Sequence, residues 1–302
     1  MRRKDDLLWK SILEDVFEDF IRFMNPDADV ILDLAKGVEF LDKELEQVFP
    51  PENNKYSPKI IDKLAKVFTR TGKEEWVLIH VEVQGQYHKD FAGRMFTYFY
   101  RLLDKYKKPV TAYAIFTEAS VPDRPDTFSL EFMGTSLTYT FNTFKIAAQN
   151  KVELQRSSNP FAIVVLTALA AIEGKAVTNS SERDELLLTL KLELAKQLLS
   201  KDIAKNKIRG LMNFLKYYLR FENQEISHRF EEQIEVLTNK HIPMGIEEFL
   251  LHRAKEEGIT AHSRKVVRNL IIKLGLSDEQ IAEIAEVSLE FVRKIRSRLK
   301  VN

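Results

Sequence analysis

Apolar and polar positions follow two different periods along this chain, and the change of period divides it. In residues 4–24 the apolar side chains Leu8, Ile12, Val16, Phe17, Phe20 and Met24 recur at helical spacing. Asn25-Pro26-Asp27 ends that helix. Residues 38–49 predict a second, shorter helical or mixed segment, and residues 50–54 (PPENN) a loop. Residues 59–69 and 75–84 are rich in Val, Ile, Phe and Trp, which predicts two strands. Between them lies Arg70-Thr71-Gly72-Lys73-Glu74, whose glycine suits a tight hairpin turn. Residues 91–106 return to the helical period, 110–117 predict a third strand, and 129–141 a further strand pair. After Asn159-Pro160 the strand signals stop. From Phe161 to Leu299 the pattern is helical, with breaks near Val177-Thr178-Asn179, His241-Ile242-Pro243 and Gly275. The pattern predicts a mixed α/β unit over residues 1–158, a helical region over 159–262 and a helical tail over 263–302.

The alternation in residues 75–84 sorts side chains by face. Val77, Ile79, Val81 and Val83 share an apolar face, while Trp76, Leu78, His80, Glu82 and Gln84 share the other. A turn centred on Gly72 makes paired residue numbers sum to 144, which sets Asp62 opposite Glu82. Asp is depleted in strands, and like charges directly opposite one another destabilise a sheet. A divalent cation removes that objection: Mg²⁺ takes oxygen ligands, commonly one or two carboxylates with water and substrate phosphate. The competing reading is an edge hairpin whose charges face water, and the spacing alone leaves both open.

Composition narrows the chemistry. The 302 residues suggest about two domains, and 44% apolar content is that of a globular chain. The absence of cysteine excludes a disulfide scaffold, a thiolate metal site and a cysteine nucleophile, and fits a reducing compartment. The basic N-terminus is followed at once by Asp5 and Asp6, so no signal peptide is expected. The longest apolar run, residues 161–172, is short of the roughly 20 residues of a membrane span. The expectation is a cytoplasmic protein with no membrane partner. A net charge of +1 argues against coating nucleic acid by charge alone, but it hides a gradient. Residues 1–150 carry 21 basic and 24 acidic groups, whereas the last ten residues carry five basic groups and no acid. Within that tail, Ser277 and Gln280 stand at capping-box spacing. Two short helices with Ile281, Ala282, Ile284 and Ala285, then Phe291, Val292, Ile295 and Leu299, predict a helix-turn-helix-like arrangement. Arg293, Lys294, Arg296, Arg298 and Lys300 would then face DNA phosphates. A plain helical tail with solvated charges is the alternative.

Asp62 with Val81-Glu82-Val83-Gln84, on a hairpin between two helices, resembles the PD-(D/E)XK nuclease core. The chain is more specifically similar to the recombination-promoting nuclease, or transposase-like, family of that superfamily. The matching stretches are Asp6-Leu7-Leu8-Trp9-Lys10, Phe40-Leu41-Asp42-Lys43-Glu44-Leu45, Ile61-Asp62-Lys63-Leu64 and His80-Val81-Glu82-Val83-Gln84-Gly85-Gln86. They continue with Arg94-Met95-Phe96-Thr97-Tyr98, Asn159-Pro160-Phe161-Ala162 and Met244-Gly245-Ile246-Glu247-Glu248. The resemblance implies a restriction-endonuclease-like core, a mixed central sheet flanked by helices, followed by an all-helical region. It also implies metal-dependent cleavage of DNA phosphodiester bonds, in the service of recombination or transposition. On that basis Asp62, Glu82 and the Val83 carbonyl would bind Mg²⁺ or Mn²⁺. Gln84 stands where the superfamily usually has lysine, and brings no positive charge. A DNA- or protein-binding module on a catalytically weak scaffold is therefore the second expectation. Glu14 or Glu18 from the first helix would be accessory acids, against an exposed helix surface as the plain alternative. His80 would be a ligand or proton carrier, against a half-buried histidine satisfied by a neighbour. Lys10 and Arg94 would meet phosphate, against local salt bridges. A homo-oligomer would supply two sites for two strands, although the sequence marks no dimer surface.

Overall fold

The computed structural model describes residues 2–41, 61–70, 76–85, 89–119, 124–201, 203–238, 266–267, 269–274, 277–285, 287 and 289–299. It is mixed α/β, and its packing divides it into two compact units, Met1–Lys240 and His241–Asn302. The helical stretch that follows the sheet region packs with it in the first unit.

The first unit opens with helices α1 (Arg2–Asp15) and α2 (Phe17–Met24), which are broken at Val16 rather than continuous. A short helix α3 (Ala28–Ile31) leads to the two-residue strand β1 (Glu39–Phe40). The hairpin strands follow as β2 (Ile61–Phe68) and β3 (Trp76–Gln84), then helix α4 (Phe91–Tyr106), β4 (Val110–Phe116), β5 (Thr127–Phe132), β6 (Thr135–Thr140) and β7 (Asn142–Lys145). One sheet has the order β1-β2-β3-β4-β7, and β5-β6 forms a separate hairpin. The pairs β1–β2 and β2–β3 are antiparallel, whereas β3–β4 and β4–β7 are parallel. Parallel neighbours need a crossover, which α4 supplies between β3 and β4.

Each face of the sheet has its own cover. Ala112, Ala114 and Phe116 pack with Phe91, Ala92 and Met95 of α4, and Leu64 packs with Leu102 of the same helix. On the other face Tyr113 meets Phe20 of α2, with ring centroids 5.5 Å apart. Phe20 in turn meets Phe161, 5.1 Å away. Phe161 begins the buried helix α6 (Phe161–Ala176), which follows the short α5 (Lys151–Arg156). Asn159 fixes this junction. Its Oδ1 accepts from the Phe161 amide at 2.8 Å, and its Nδ2 donates to the Asp19 carbonyl at 2.9 Å.

Helices α7 (Ser180–Ser200), α8 (Lys205–Tyr218) and α9 (Gln224–Thr238) complete the unit. Asn179 caps α7 by accepting from the Ser181 and Glu182 amides, which is the chemistry behind the break at 177–179. Trp9 of α1 packs edge-on against Phe214 and Tyr218 of α8. Lys207 pairs with Asp19 at 2.6 Å, and Arg220 with Asp5. These contacts tie the N-terminal helices to the helical layer. Burial leaves the Tyr218 phenol with a pKa raised to about 12. Among the described residues no helix is long and apolar enough to cross a membrane.

In the second unit α10 (Asp278–Ile284) and α11 (Leu289–Leu299) pack through Ile281 and Val292, with Val267 completing the cluster. The capping box forms: the Ser277 amide donates to Gln280 Oε1 at 3.0 Å, and the Gln280 amide to Ser277 Oγ at 3.3 Å. Ile284, expected on the apolar side, is 58% exposed. The breaks at 241–243 and Gly275 lie outside the described residues.

Candidate functional site

The β2–β3 register follows the 144 rule along its whole length, from Ile61 opposite Val83 to Phe68 opposite Trp76. Asp62 is therefore directly opposite Glu82, and Gln84 lies two residues further along the face of Glu82. On β4, Ala114 stands beside Glu82 and Phe116 beside Gln84. The two acidic positions share their face with Leu64, Ala114 and Phe116, all buried under α4. This donor set, carboxylate oxygens without sulfur, suits Mg²⁺ or Mn²⁺. Val83 points to the opposite face and is buried there, so only its main chain is available to the Asp62–Glu82 face.

The acidic positions lie near the end of the sheet where β3 and β4 finish and α4 begins. Phe91, the first residue of α4, packs on Phe116 with centroids 5.5 Å apart. That contact brings the helix N-terminus, with its partial positive charge, to the same end. Arg94 lies in the first turn, its guanidinium 5.2 Å from the Phe91 ring. Arg124, which the sequence pattern did not single out, has its guanidinium 5.9 Å from the Phe116 ring and pairs through Nε with Glu118 at 2.6 Å. No local motif marks Arg124. Its place depends on packing against the end of β4, far from any pattern of its own.

His80 lies on the same face, with Leu64 opposite and Ala112 beside it. Lys10 is half-buried on α1. Glu14, the candidate accessory acid, lies on α1. It accepts from Lys63, which belongs to the strand face opposite Asp62 and is fully buried against the Phe40 ring at 4.7 Å. Glu18 pairs with Arg22 one turn later at 3.3 Å, and Arg22 also grips Asp29 at 2.8 Å. That guanidinium holds the Asp29 carboxyl below the usual carboxylate range. Among the described residues no group of three or more metal-binding side chains is gathered, a set that leaves out the side chains of Asp62 and Glu82.

In the tail, Asp278 divides the expected basic face. Arg296 donates to it at 2.6 Å and is 26% exposed, whereas Arg293 lies 3.9 Å away and is 63% exposed. Lys294 and Arg298 fall on α11, but their side chains are outside the described set, as are Lys300 and His88 entirely. No family model, no curated protein and no solved structure matches the chain.

Proposed function

We propose that the chain is a metal-dependent DNA endonuclease that hydrolyses phosphodiester bonds on a restriction-endonuclease-like core. One observation carries this reading: the register that sets Asp62 opposite Glu82, with Gln84 next on the same face. The order of elements supports it, since the hairpin stands between α1–α2 and α4, as the resemblance leads one to expect. The α4 N-terminus and Arg94 add positive potential suited to a phosphate.

Asp62, Glu82 and the Val83 carbonyl would hold Mg²⁺ or Mn²⁺. Such an ion lowers the pKa of a bound water and offsets charge on a phosphodiester. Gln84 would orient a water or a phosphate oxygen through its amide. His80 stands on the same face, within the run that carries Glu82. Arg293 and its neighbours on α11 would meet DNA phosphates.

The test is nicking of supercoiled plasmid with Mg²⁺ or Mn²⁺ by wild type, Asp62→Ala and Glu82→Ala. Metal-dependent nicking lost in both variants supports the proposal. Gln84 favours a second reading, in which the scaffold binds DNA with little cleavage. Salt-sensitive binding without nicking, unchanged by the two substitutions, would select it.

A further inference from the structure

The β5–β6 hairpin is amphipathic to an unusual degree. Its pairs Thr127–Thr140, Ser129–Thr138 and Glu131–Ser136 form one wholly polar face. The pairs Phe128–Tyr139, Leu130–Leu137 and Phe132–Thr135 form the other, apolar in five of six positions. An antiparallel pair with one apolar face needs a cover for it. Helix α4 covers only the base: Phe96 stacks on Phe128 at 4.9 Å, and Phe99 meets Tyr139 at 4.6 Å. Beyond that the face overhangs. Leu130 is 57% exposed, Phe132 71% and Leu137 37%. The apolar surface runs on across α4 to Tyr100 and Leu103, also exposed, because Phe96 stacks on Tyr100 as well as on Phe128.

The turn adds an independent sign. Met133 and Gly134 both have positive φ, 47° and 82°, in a two-residue connection. Asn-Gly is the pair that such a turn favours. A bulky residue in the left-handed region is strained, and here it is methionine, 89% exposed at the hairpin tip.

We infer that this face is the contact between two copies of the chain. Leu130, Phe132, Met133, Leu137, Tyr100 and Leu103, at roughly 200 Å² each when fully bare, leave about 700 Å² uncovered. That exceeds the roughly 300–600 Å² largest patch of an ordinary monomer. Doubled, it reaches the roughly 1,200–2,000 Å² of a stable interface. The hairpin's apolar face carries no charge, and at its α4 margin Asp104 and Lys107 pair with each other, so the face can meet itself about a twofold axis without setting unpaired like charges together, as an isologous contact requires. The hairpin's one acid between Thr127 and Thr140, Glu131, is on the polar face, and no base accompanies it there, which disfavours DNA as the occupant. The inference does not depend on the nuclease reading.

Sedimentation of the full chain over the micromolar range tests it. Wild type is expected to dimerise. The Phe132→Ser/Met133→Asn double variant keeps a favourable turn and should raise the dissociation constant at least about tenfold, with an unchanged circular dichroism spectrum. Thr138→Lys, on the polar face, should leave it unchanged. A monomeric wild type, a dimer indifferent to the double variant, or one loosened equally by Thr138→Lys would each overturn the inference.

Discussion

Asp184 and Lys191, two turns apart on α7, hold opposite ends of the same connection. Lys191 Nζ donates to the carbonyls of Lys216 and Leu219, both at 2.8 Å, where α8 ends. The Asp184 carboxylate accepts from the Glu222 and Asn223 amides, at 3.0 and 2.8 Å, just before α9 begins. Each charge opposes the partial charge of the helix end it meets. The Lys191 ammonium also lies between the rings of Phe221 and Phe230, 4.3 and 4.4 Å from their centroids.

Burial holds the Lys191 pKa far below the lysine range, at about 7; nearby Lys216 lowers it further, and Glu231 opposes the shift. Between that value and the ordinary 10.5, the unfolded chain binds a proton that the folded chain lacks. Stability therefore rises with pH across this window, by up to about 1.4 kcal/mol per pH unit from this group. Urea unfolding of wild type and Lys191→Met between these pH values should show the rise in wild type and a flatter profile in the variant.

Asp184→Ala takes the buried acceptor from two backbone amides that begin α9 and should cost about 1–2 kcal/mol. Asp184→Asn keeps an acceptor and should cost less. Equal midpoints in urea for the two variants would contradict the clamp.

Lys63 and Glu14 offer a different comparison. Removing the acid alone, in Glu14→Leu, leaves a buried ammonium and should destabilise by about 3 kcal/mol. Replacing both, in Glu14→Leu/Lys63→Met, should recover much of that loss. If Glu14 instead served as a metal ligand, Mg²⁺-dependent activity would fall while thermal stability stayed level.

The facing carboxylates make a prediction about stability as well as activity. In chelator, Asp62→Asn removes a like-charge opposition and should be as stable as wild type or more so, by up to about 1 kcal/mol. Adding Mg²⁺ at about 100 times its dissociation constant should stabilise wild type by about 2.7 kcal/mol and the variant much less. Thermal melts with and without metal measure both. A wild type insensitive to Mg²⁺ and Mn²⁺ would remove the metal from this hairpin.

Arg293 and Arg296 should separate in the tail. Arg293→Ala should flatten the dependence of log affinity on log salt by about 0.9 if it meets one phosphate. Arg296→Ala removes the 2.6 Å bond to Asp278 and should loosen α10 against α11, seen as faster amide exchange at Ile281 and Val292.

The hairpin register was legible in the sequence because Gly72 marks its centre and strand alternation then fixes every partner. The helix at 91–106 and the break at 177–179 were legible from the apolar period. The strand at 142–145 is too short to show a pattern. The break at Val16 interrupts no apolar period, so the first two helices read as one. The buried lysines were hidden for another reason. Lys63 finds its acid 49 residues away, and Lys191 its carbonyls 25 and 28 residues away. Local spacing treats such residues as solvated charges. Glu14 was singled out for its charge and helix position, but its partner is set by which side of β2 faces α1.

Because Lys63 follows Asp62 directly, β2 cannot slide by one residue without a double penalty. A slip would turn the ammonium away from Glu14 and push the Asp62 position into the layer beneath α1. The lysine and its acid thus favour the alignment seen in the hairpin. An acid on the first helix serves the hairpin at one remove, by guaranteeing which residue stands across from Glu82.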